Sequence, residues 1–512
     1  MTWCFGCEKD KHGDELALCK DKEHDIDYEH LYSSPTPQTE KKTKVPDVKT
    51  IIKATLGQTY VESTIVDGKP MFLCNINGEV KTHERITHDG VIYVPIEKNS
   101  CGYAEYEYTK QELDFFKEKS KTKQYLLNKI WDIVNHFIDS TEMVKTLVTV
   151  DLLQTYCLEW IDSVHYLYFV GETESGKSTA LHLFKNFGYR CMYSNGLPHA
   201  DIYNFYGTDE EACGTICEDE CQDLGRDKDK VATYKNSYTR GSIKPIILNT
   251  SNTKKQVYYK TYGLKVFAGE NIPHDKGFKE RLAIIHMVEG TPEGNIKRPT
   301  KEEKNKLKTL RLGLLYWKVA NIHEGLPDVE SKLKNRDQEL WEDFLRVAKD
   351  TDFEERAQKV VKFYTNQRHE GIWNSLDAEL FKLVLSQLNG GMRLKMGKFW
   401  SKLIGDQDEI EGELDGKSFY PNEFSKTISQ NYLSNLFKDK FQAKKETHWK
   451  VIENKKRRIT EYVFNENIIK RLSHKYNVSH VSTSDASGQG MELTHAQATD
   501  LHHLDHITEV SP

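Results

Sequence analysis

The chain has 512 residues, a formal net charge of −6, a pI near 6.4 and a mean hydropathy of −0.67. That length exceeds what one hydrophobic core usually serves, so two to four domains are expected. The acidic total excludes a uniformly basic protein, and no apolar run approaches the ~20 residues of a membrane helix, so any nucleic-acid surface is local and no membrane partner is expected.

Residues 1–32 hold Cys4-x-x-Cys7, then Cys19 and His24. Two thiolates at knuckle spacing plus a further Cys and His suffice for one tetrahedral Zn²⁺, and so short a segment needs such a staple to fold. The alternative is free cysteines, since Cys19-x4-His24 is looser than a standard ligand pair. The other cysteines are scattered through a charged chain, and the N-terminus lacks the basic and apolar regions of a signal peptide. Both features point to a soluble protein in the reducing cytoplasm. Residues 33–49 are polar and proline-containing and read as a linker. Residues 50–108 show short alternating runs separated by Asp67-Gly68, Asn77-Gly78 and Asp89-Gly90, which predicts a small antiparallel β unit. Thr109-x-x-Glu112 is a capping box that opens a helical region over 109–162, with apolar spacing from Leu126 to Ile138 and from Met143 to Trp160.

From 163 to 290 the sequence carries chemistry. Tyr166-Leu-Tyr-Phe-Val170 suits a buried parallel strand, and Ala180-Leu-His-Leu-Phe184 continues with helical spacing. Between them lies a P-loop, Gly171-Glu172-Thr173-Glu174-Ser175-Gly176-Lys177-Ser178, followed by Thr179. Glycines let backbone N–H groups curl around phosphate, and the helix N-terminus adds a favourable dipole. Lys177 would reach the β- and γ-phosphates of ATP, and the Ser178 hydroxyl would ligate Mg²⁺. Gly214-Thr-Ile-Cys-Glu-Asp219-Glu220 predicts a strand ending in an acidic pair. In that reading Asp219 holds the Mg²⁺ shell and Glu220 polarises the attacking water, with a one-residue shift to Glu218 and Asp219 left open. Cys213, Cys217 and Cys221 are too widely spaced along a strand for one metal and read as buried thiols. A hairpin is predicted from Lys244-Pro-Ile-Ile-Leu-Asn249 and Gln256-Val-Tyr-Tyr-Lys-Thr261 around a polar turn that contains Lys254 and Lys255. Lys265-Val-Phe-Ala-Gly269 follows as a strand, then Asn271, and Arg281 precedes the apolar run Leu282–Met287.

P-loop, acidic pair, basic-tipped hairpin, Lys-Val-Phe-Ala-Gly strand and Arg before an apolar strand, in that order, resemble the AAA+ ATPases of plasmid, phage and archaeal replication proteins. These are the superfamily 3-like helicase domains and their primase-helicase relatives. The resemblance spans roughly residues 125–345 and rests on motif order more than on any long match. It implies that Asn271 is a sensor near the γ-phosphate and that Arg281 is an arginine finger reaching a neighbouring subunit in a homo-oligomeric ring. It also implies that Lys254 and Lys255 line a central pore and grip DNA, with a primase or polymerase as a partner in trans.

Residues 290–308 read as a charged connector within a helical subdomain over 291–371, whose helices are expected at Leu310–Ile322 and Val329–Val347. Residues 372–478 read as a winged-helix DNA-binding domain. Asn431–Phe441 would be its recognition helix, and the tip Asn454-Lys455-Lys456-Arg457-Arg458 of its last hairpin would contact phosphates. Residues 421–480 carry thirteen Lys and Arg against six Asp and Glu, which supports a basic module, and residues 479–512 read as a disordered tail. The expected fold class is therefore α/β: a P-loop AAA+ core on a parallel sheet, flanked by a zinc knuckle, a small β unit and a winged helix. The expected function is an ATP-dependent DNA helicase or translocase of mobile-element replication. The alternative is an ATP-switched DNA-binding initiator that does not unwind. A small-molecule kinase has no need of the basic C-terminal module.

Overall fold

The computed structural model describes residues 47–100, 105–119, 121–209, 211–250, 253–373, 375–388, 392–404, 428–452 and 455–478. The candidate zinc ligands Cys4, Cys7, Cys19 and His24, and the tail beyond 478, lie outside them. No helix of the described residues is long and apolar enough to cross a membrane.

Five parallel strands form the central sheet, side by side in the order Cys191–Asn195, Gly214–Asp219, Gly263–Gly269, Tyr166–Val170 and Leu282–His286. Every residue of the Tyr166–Val170 and Gly263–Gly269 strands is buried, which explains why both read as unbroken apolar runs. The helix Lys177–Phe187 packs across the sheet and sends Ala180, Leu181, Leu183 and Phe184 into the core. Gly263 and Gly214 pair where two strands nearly touch: a Cβ on Gly263 would lie 2.0 Å from the Gly214 carbonyl oxygen, and its φ is +150°. Lys265 is fully buried in the same strand. Its ammonium donates to the carbonyls of Ser237 (3.1 Å), Thr261 (2.6 Å) and Gly263 (2.9 Å), and burial drives its pKa well down.

Helices Lys110–Glu118, Lys123–Phe137, Glu142–Gln154, Lys301–Ala320, Arg336–Ala348 and Glu354–Trp373 form a helical layer around the sheet. Thr109 and Glu112 make the capping box expected from their spacing. The connector reading of 290–308 is corrected: Thr300 and Glu303 form a second capping box, so the helix begins at Lys301. Residues 329–335 are not helical, and the following helix starts at Arg336.

The β unit is an antiparallel meander of Lys53–Leu56, Thr59–Val66, Lys69–Ile76 and Glu79–His83. Asp67-Gly68 and Asn77-Gly78 take positive φ at both positions, as tight two-residue turns require. Two parallel pairings were not foreseen. Asp47–Ile51 lies beside Val91–Pro95, so the linker stops short of residue 47, and Glu107–Tyr108 joins the end of Thr59–Val66.

This meander is held to the rest of the chain by buried ions. Glu62 accepts from the Tyr60 and Tyr189 hydroxyls (2.5 and 2.6 Å), from Arg190 and from Lys318. Lys318 also reaches Glu159 (2.7 Å) and the Tyr60 hydroxyl (2.7 Å), and Lys53 pairs with Glu159. Burial alone would raise both carboxyls. The cations overcome it, holding Glu62 well below the usual range and Glu159 down at about 2.

Residues 376–476 have their own core, around Phe381, Phe399, Trp400, Phe437, Phe441 and Tyr462. Helices Leu376–Leu385, Met396–Ile404, Gln430–Asn435 and Glu466–Tyr476 surround a three-stranded sheet in the order Arg393–Lys395, Lys455–Val463 and Lys444–Ile452. The segment expected as the recognition helix, Asn431–Phe441, is an α-helix only to Asn435 and then widens over Leu436–Lys440. The basic tip reading is also corrected: residues 455–458 belong to a strand, so alternate positions lie on opposite faces of the hairpin.

Removing Lys318 takes the shared cation from two interior carboxylates and leaves Glu62 with Arg190 and Glu159 with Lys53. Lys318→Met is expected to lower the unfolding free energy by about 1–3 kcal/mol in chemical denaturation, the scale of buried acceptors losing one charged donor. The depressed Glu159 contributes stability that is complete above the ordinary carboxylate value of 4.5 and disappears as pH falls toward about 2. Glu159→Gln should flatten the acid limb of a stability–pH profile.

Candidate functional site

The phosphate loop leaves the C-terminal edge of the sheet, where the Tyr166–Val170 strand turns into the Lys177–Phe187 helix. Two glycines shape it. A Cβ on Gly171 would come within 2.4 Å of the Met287 carbonyl oxygen and 2.7 Å of Ser175 Oγ, and Gly176 has φ +87° at the helix start. The concavity is therefore one that only glycine leaves open, with N–H groups available to oxyanions. The Lys177 ammonium lies over the loop, donating to the carbonyls of Gly171 (2.7 Å) and Glu172.

A cleft of about 700 Å³ opens beside this loop. Thr173, Glu174, Ser175, Gly176, Lys177, Ser178 and Thr179 line one side; Ile138, Asp139, Met287, Val288 and Lys297 line the others. Those further residues come from segments far away in the chain and carry no local motif, so only the fold reveals them. The segment that supplies Glu293 and Gly294 is held by His136. Its ring pairs with Glu303 (2.6 Å) and Glu293 (3.1 Å), and the bond to Glu303 raises its pKa. Gly294 N–H donates to the His136 carbonyl, and a Cβ on Gly294 would overlap the imidazole at 2.4 Å.

The acidic strand resolves its carboxylates by face. Cys217 and Asp219 point to one side, where Cys217 Sγ lies 3.3 Å from Cys191 Sγ and Tyr193 donates to Asp219 at 3.2 Å. The Tyr193 ring in turn lies 5.0 Å from that of His182 on the Lys177–Phe187 helix. Asp219 thus shares the sheet face of the phosphate-loop helix. Glu218 points the other way into a closed pocket. It accepts from the Leu197 N–H (3.1 Å), the Tyr234 hydroxyl (2.7 Å) and the Lys230 ammonium. Glu220 follows at the strand end in a left-handed conformation with φ 59°, exposed at the edge.

Asn271 is exposed just past the Gly263–Gly269 strand, and the Tyr168 hydroxyl donates to its carbonyl at 2.7 Å. Because Gly269 pairs with Val170, Asn271 sits at the level of the phosphate loop. Arg281 does not. Leu282 pairs with Tyr166 and His286 with Val170, so Arg281 stands at the opposite edge of the sheet. At about 3.3 Å per residue it is roughly 20 Å from the loop of its own chain. Its guanidinium lies 4.7 Å over the Tyr238 ring and donates to the Gly277 carbonyl.

Lys254 and Lys255 belong to the strand Thr253–Lys260, paired with Asn249 and Leu248 of Ile243–Thr250, and not to the turn as expected. Both are exposed, on opposite faces. The Lys254 face also displays Ile243, Ile247 and Tyr258, each about half or more exposed. The other face rests Tyr259 on Tyr203, ring to ring at 5.1 Å. Among the described residues no group of three or more His, Cys, Asp or Glu side chains is placed to hold a metal by itself.

The two acidic registers differ in a measurable way. Glu218→Ala leaves Lys230 buried without its carboxylate and is expected to cost about 3–5 kcal/mol of stability, seen as a lowered melting temperature. Glu220→Gln should melt within about a degree of wild type, as exposed substitutions usually do.

No family model and no curated protein sequence matches the chain. Among solved structures, it is similar to the apo A form of the NrS-1 C-terminal region, with TM-score 0.33 and 11% identity over 79% of this chain and 97% of that one. It is also similar to a full-length MCM homolog from Methanopyrus kandleri, with TM-score 0.31 and 12% identity over 60% of this chain and 78% of that one. Likenesses this slight carry no functional argument.

Proposed function

We propose that this chain is an ATP-dependent DNA helicase or translocase that hydrolyses ATP between the subunits of a homo-oligomeric ring. One observation carries the reading: the phosphate loop, Asp219 and Asn271 gather at one edge of the sheet, while Arg281 stands at the other. The first three fit the triphosphate end of a nucleotide. An arginine so far from its own loop serves hydrolysis only in a second copy of the chain.

In this reading the loop N–H groups and Lys177 bind the β- and γ-phosphates, and the cleft beside Ile138 and Val288 takes the nucleoside. Ser178 and Asp219 are the residues that would hold Mg²⁺, which when bound neutralises charge between the transferring and leaving phosphates. Glu220 orients the attacking water, Asn271 marks the γ-phosphate, and Arg281 stabilises charge in the neighbouring site. The exposed hairpin with Lys254 and Lys255 engages the DNA backbone. The C-terminal module is read as a winged helix whose Lys455, Lys456, Arg457 and Arg458 supply further phosphate contacts.

Lys177→Ala should reduce ATP turnover at least about 100-fold, the scale of losing one preorganised charge partner. Glu220→Gln should keep nucleotide affinity while stopping turnover. Arg281→Ala should cost about 10³-fold or more, as for an arginine finger. Mixing Arg281→Ala with Lys177→Ala protein should recover part of the rate, because each lacks what the other supplies. ATPase assays with and without single-stranded DNA and an equilibrium nucleotide titration, run beside a fork-unwinding assay, check all four outcomes. A mixture that stays inactive overturns the ring, and DNA-stimulated turnover without unwinding leaves an initiator.

A further inference from the structure

The hairpin of Lys444–Ile452 and Lys455–Val463 leaves its domain as a projecting arm. Tyr462, opposite Lys445, is the last residue on its inner face that is buried in the core. Beyond it every residue from Thr447 to Val451 is exposed. Trp449 and Val451 keep 67% and 61% of their surface open, and strand alternation puts them on one face. Cross-strand pairing adds Arg458 beside Trp449 and Lys456 beside Val451 on that face.

An indole this exposed on a two-stranded arm is a liability unless something covers it. The charge around it says what. From residue 447 to 460 the sequence holds Lys450, Lys455, Lys456, Arg457 and Arg458 against the single acid Glu453. The acids at the base, Glu446 and Glu461, are engaged by Arg393 at 2.9 and 3.3 Å. A second copy of the arm laid face to face would bring these cations together, so self-association through this face is disfavoured. A polyanion with flat apolar faces complements it on both counts. In an intact duplex those faces are hidden, and inserting a side chain between them costs unstacking energy. A single strand offers them without that cost.

We propose that the Trp449 face of this arm binds single-stranded nucleic acid, one base stacking on the indole while Arg458 and Lys456 neutralise adjacent phosphates. The proposal rests on the reading that the chain handles nucleic acid, and assigns the arm to the unpaired strand.

Fluorescence anisotropy of the full chain with a labelled oligothymidylate, and with a blunt hairpin duplex, tests it at fixed salt. Trp449→Ala is expected to weaken oligothymidylate binding roughly 5- to 100-fold, as for the loss of one base stack. Trp449→Phe should stay within about threefold of wild type because the ring is kept. Trp449→Lys should also weaken binding, although pure charge attraction would tighten it. Duplex affinity should change less than about twofold in all three. Equal oligothymidylate affinity for wild type and Trp449→Ala overturns the proposal, as does a tighter Trp449→Lys variant. A matching loss on duplex replaces it with a wedge, and an altered sedimentation profile with both affinities intact replaces it with self-association. Wild-type protein that binds neither probe overturns this proposal and the helicase reading together. Absent ATP turnover with Trp449-dependent binding intact overturns the helicase reading alone.

Discussion

Glu62 and Lys318 meet in a space from which almost all solvent is excluded, and much of the architecture depends on that contact. Each ion taken singly would cost several kcal/mol to bury. They are tolerated because the charges are shared. Glu62 takes Arg190 and Lys318, while Glu159 takes Lys53 and Lys318. The participants come from the N-terminal meander, the helix Lys301–Ala320 and the loops around the central sheet. The network also fixes register. A slip of one residue in the Thr59–Val66 strand would turn Glu62 to the opposite face and leave Lys318 with Glu159 alone. The meander is thus a fixed part of the sheet-bearing body, sharing its core through Tyr60, Leu73, Tyr106 and Tyr108.

The same body supplies the cleft. Its floor is the glycine-shaped loop at the sheet edge, and its walls are chain segments brought together by the helical layer. His136 ties one wall to the N-terminal turn of the Lys301–Ala320 helix. That bond is strongest when the imidazole is charged, so it is complete below the ordinary histidine value of 6.5 and weakens as pH rises through the raised one. The ring is about one-third exposed, so solvent screens the interaction and its contribution is modest.

Local sequence signals located most elements of the sheet and its loop because each has its own chemistry: apolar runs for buried strands, glycines for the phosphate cradle, Thr and Glu at helix starts. Where the reading failed, the cause was local as well. Thr300 and Glu303 satisfy the capping pattern but lie in a charged stretch, where charge masks the helix start. Lys254, Lys255 and the cations from 455 to 458 carry the polarity of turns, whereas a projecting two-stranded arm exposes both faces and accepts lysine anywhere along it. The face separation of Glu218 and Asp219 was beyond sequence reading. Adjacent carboxylates differ only once Lys230 and Tyr234 close around one of them. Trp449 has the sequence signature of any strand aromatic, and only its 67% exposure sets it apart.

The hairpin with Lys254 runs through Thr261 and Tyr262 straight into the Gly263–Gly269 strand, at whose far end Asn271 stands. That strand is hydrogen-bonded on both edges and buried throughout, and the Gly214 contact leaves no room for it to bow sideways. Seven residues at about 3.3 Å each make it a stiff rod of roughly 23 Å. The hairpin continues it outside the sheet, tied to the body at its base by the Lys260 N–H to the Gly207 carbonyl and by Tyr259 against Tyr203. The exposed hairpin and the residue beside the sheet-edge loop are therefore joined by a single buried strand, with no intervening turn between Gly263 and Gly269.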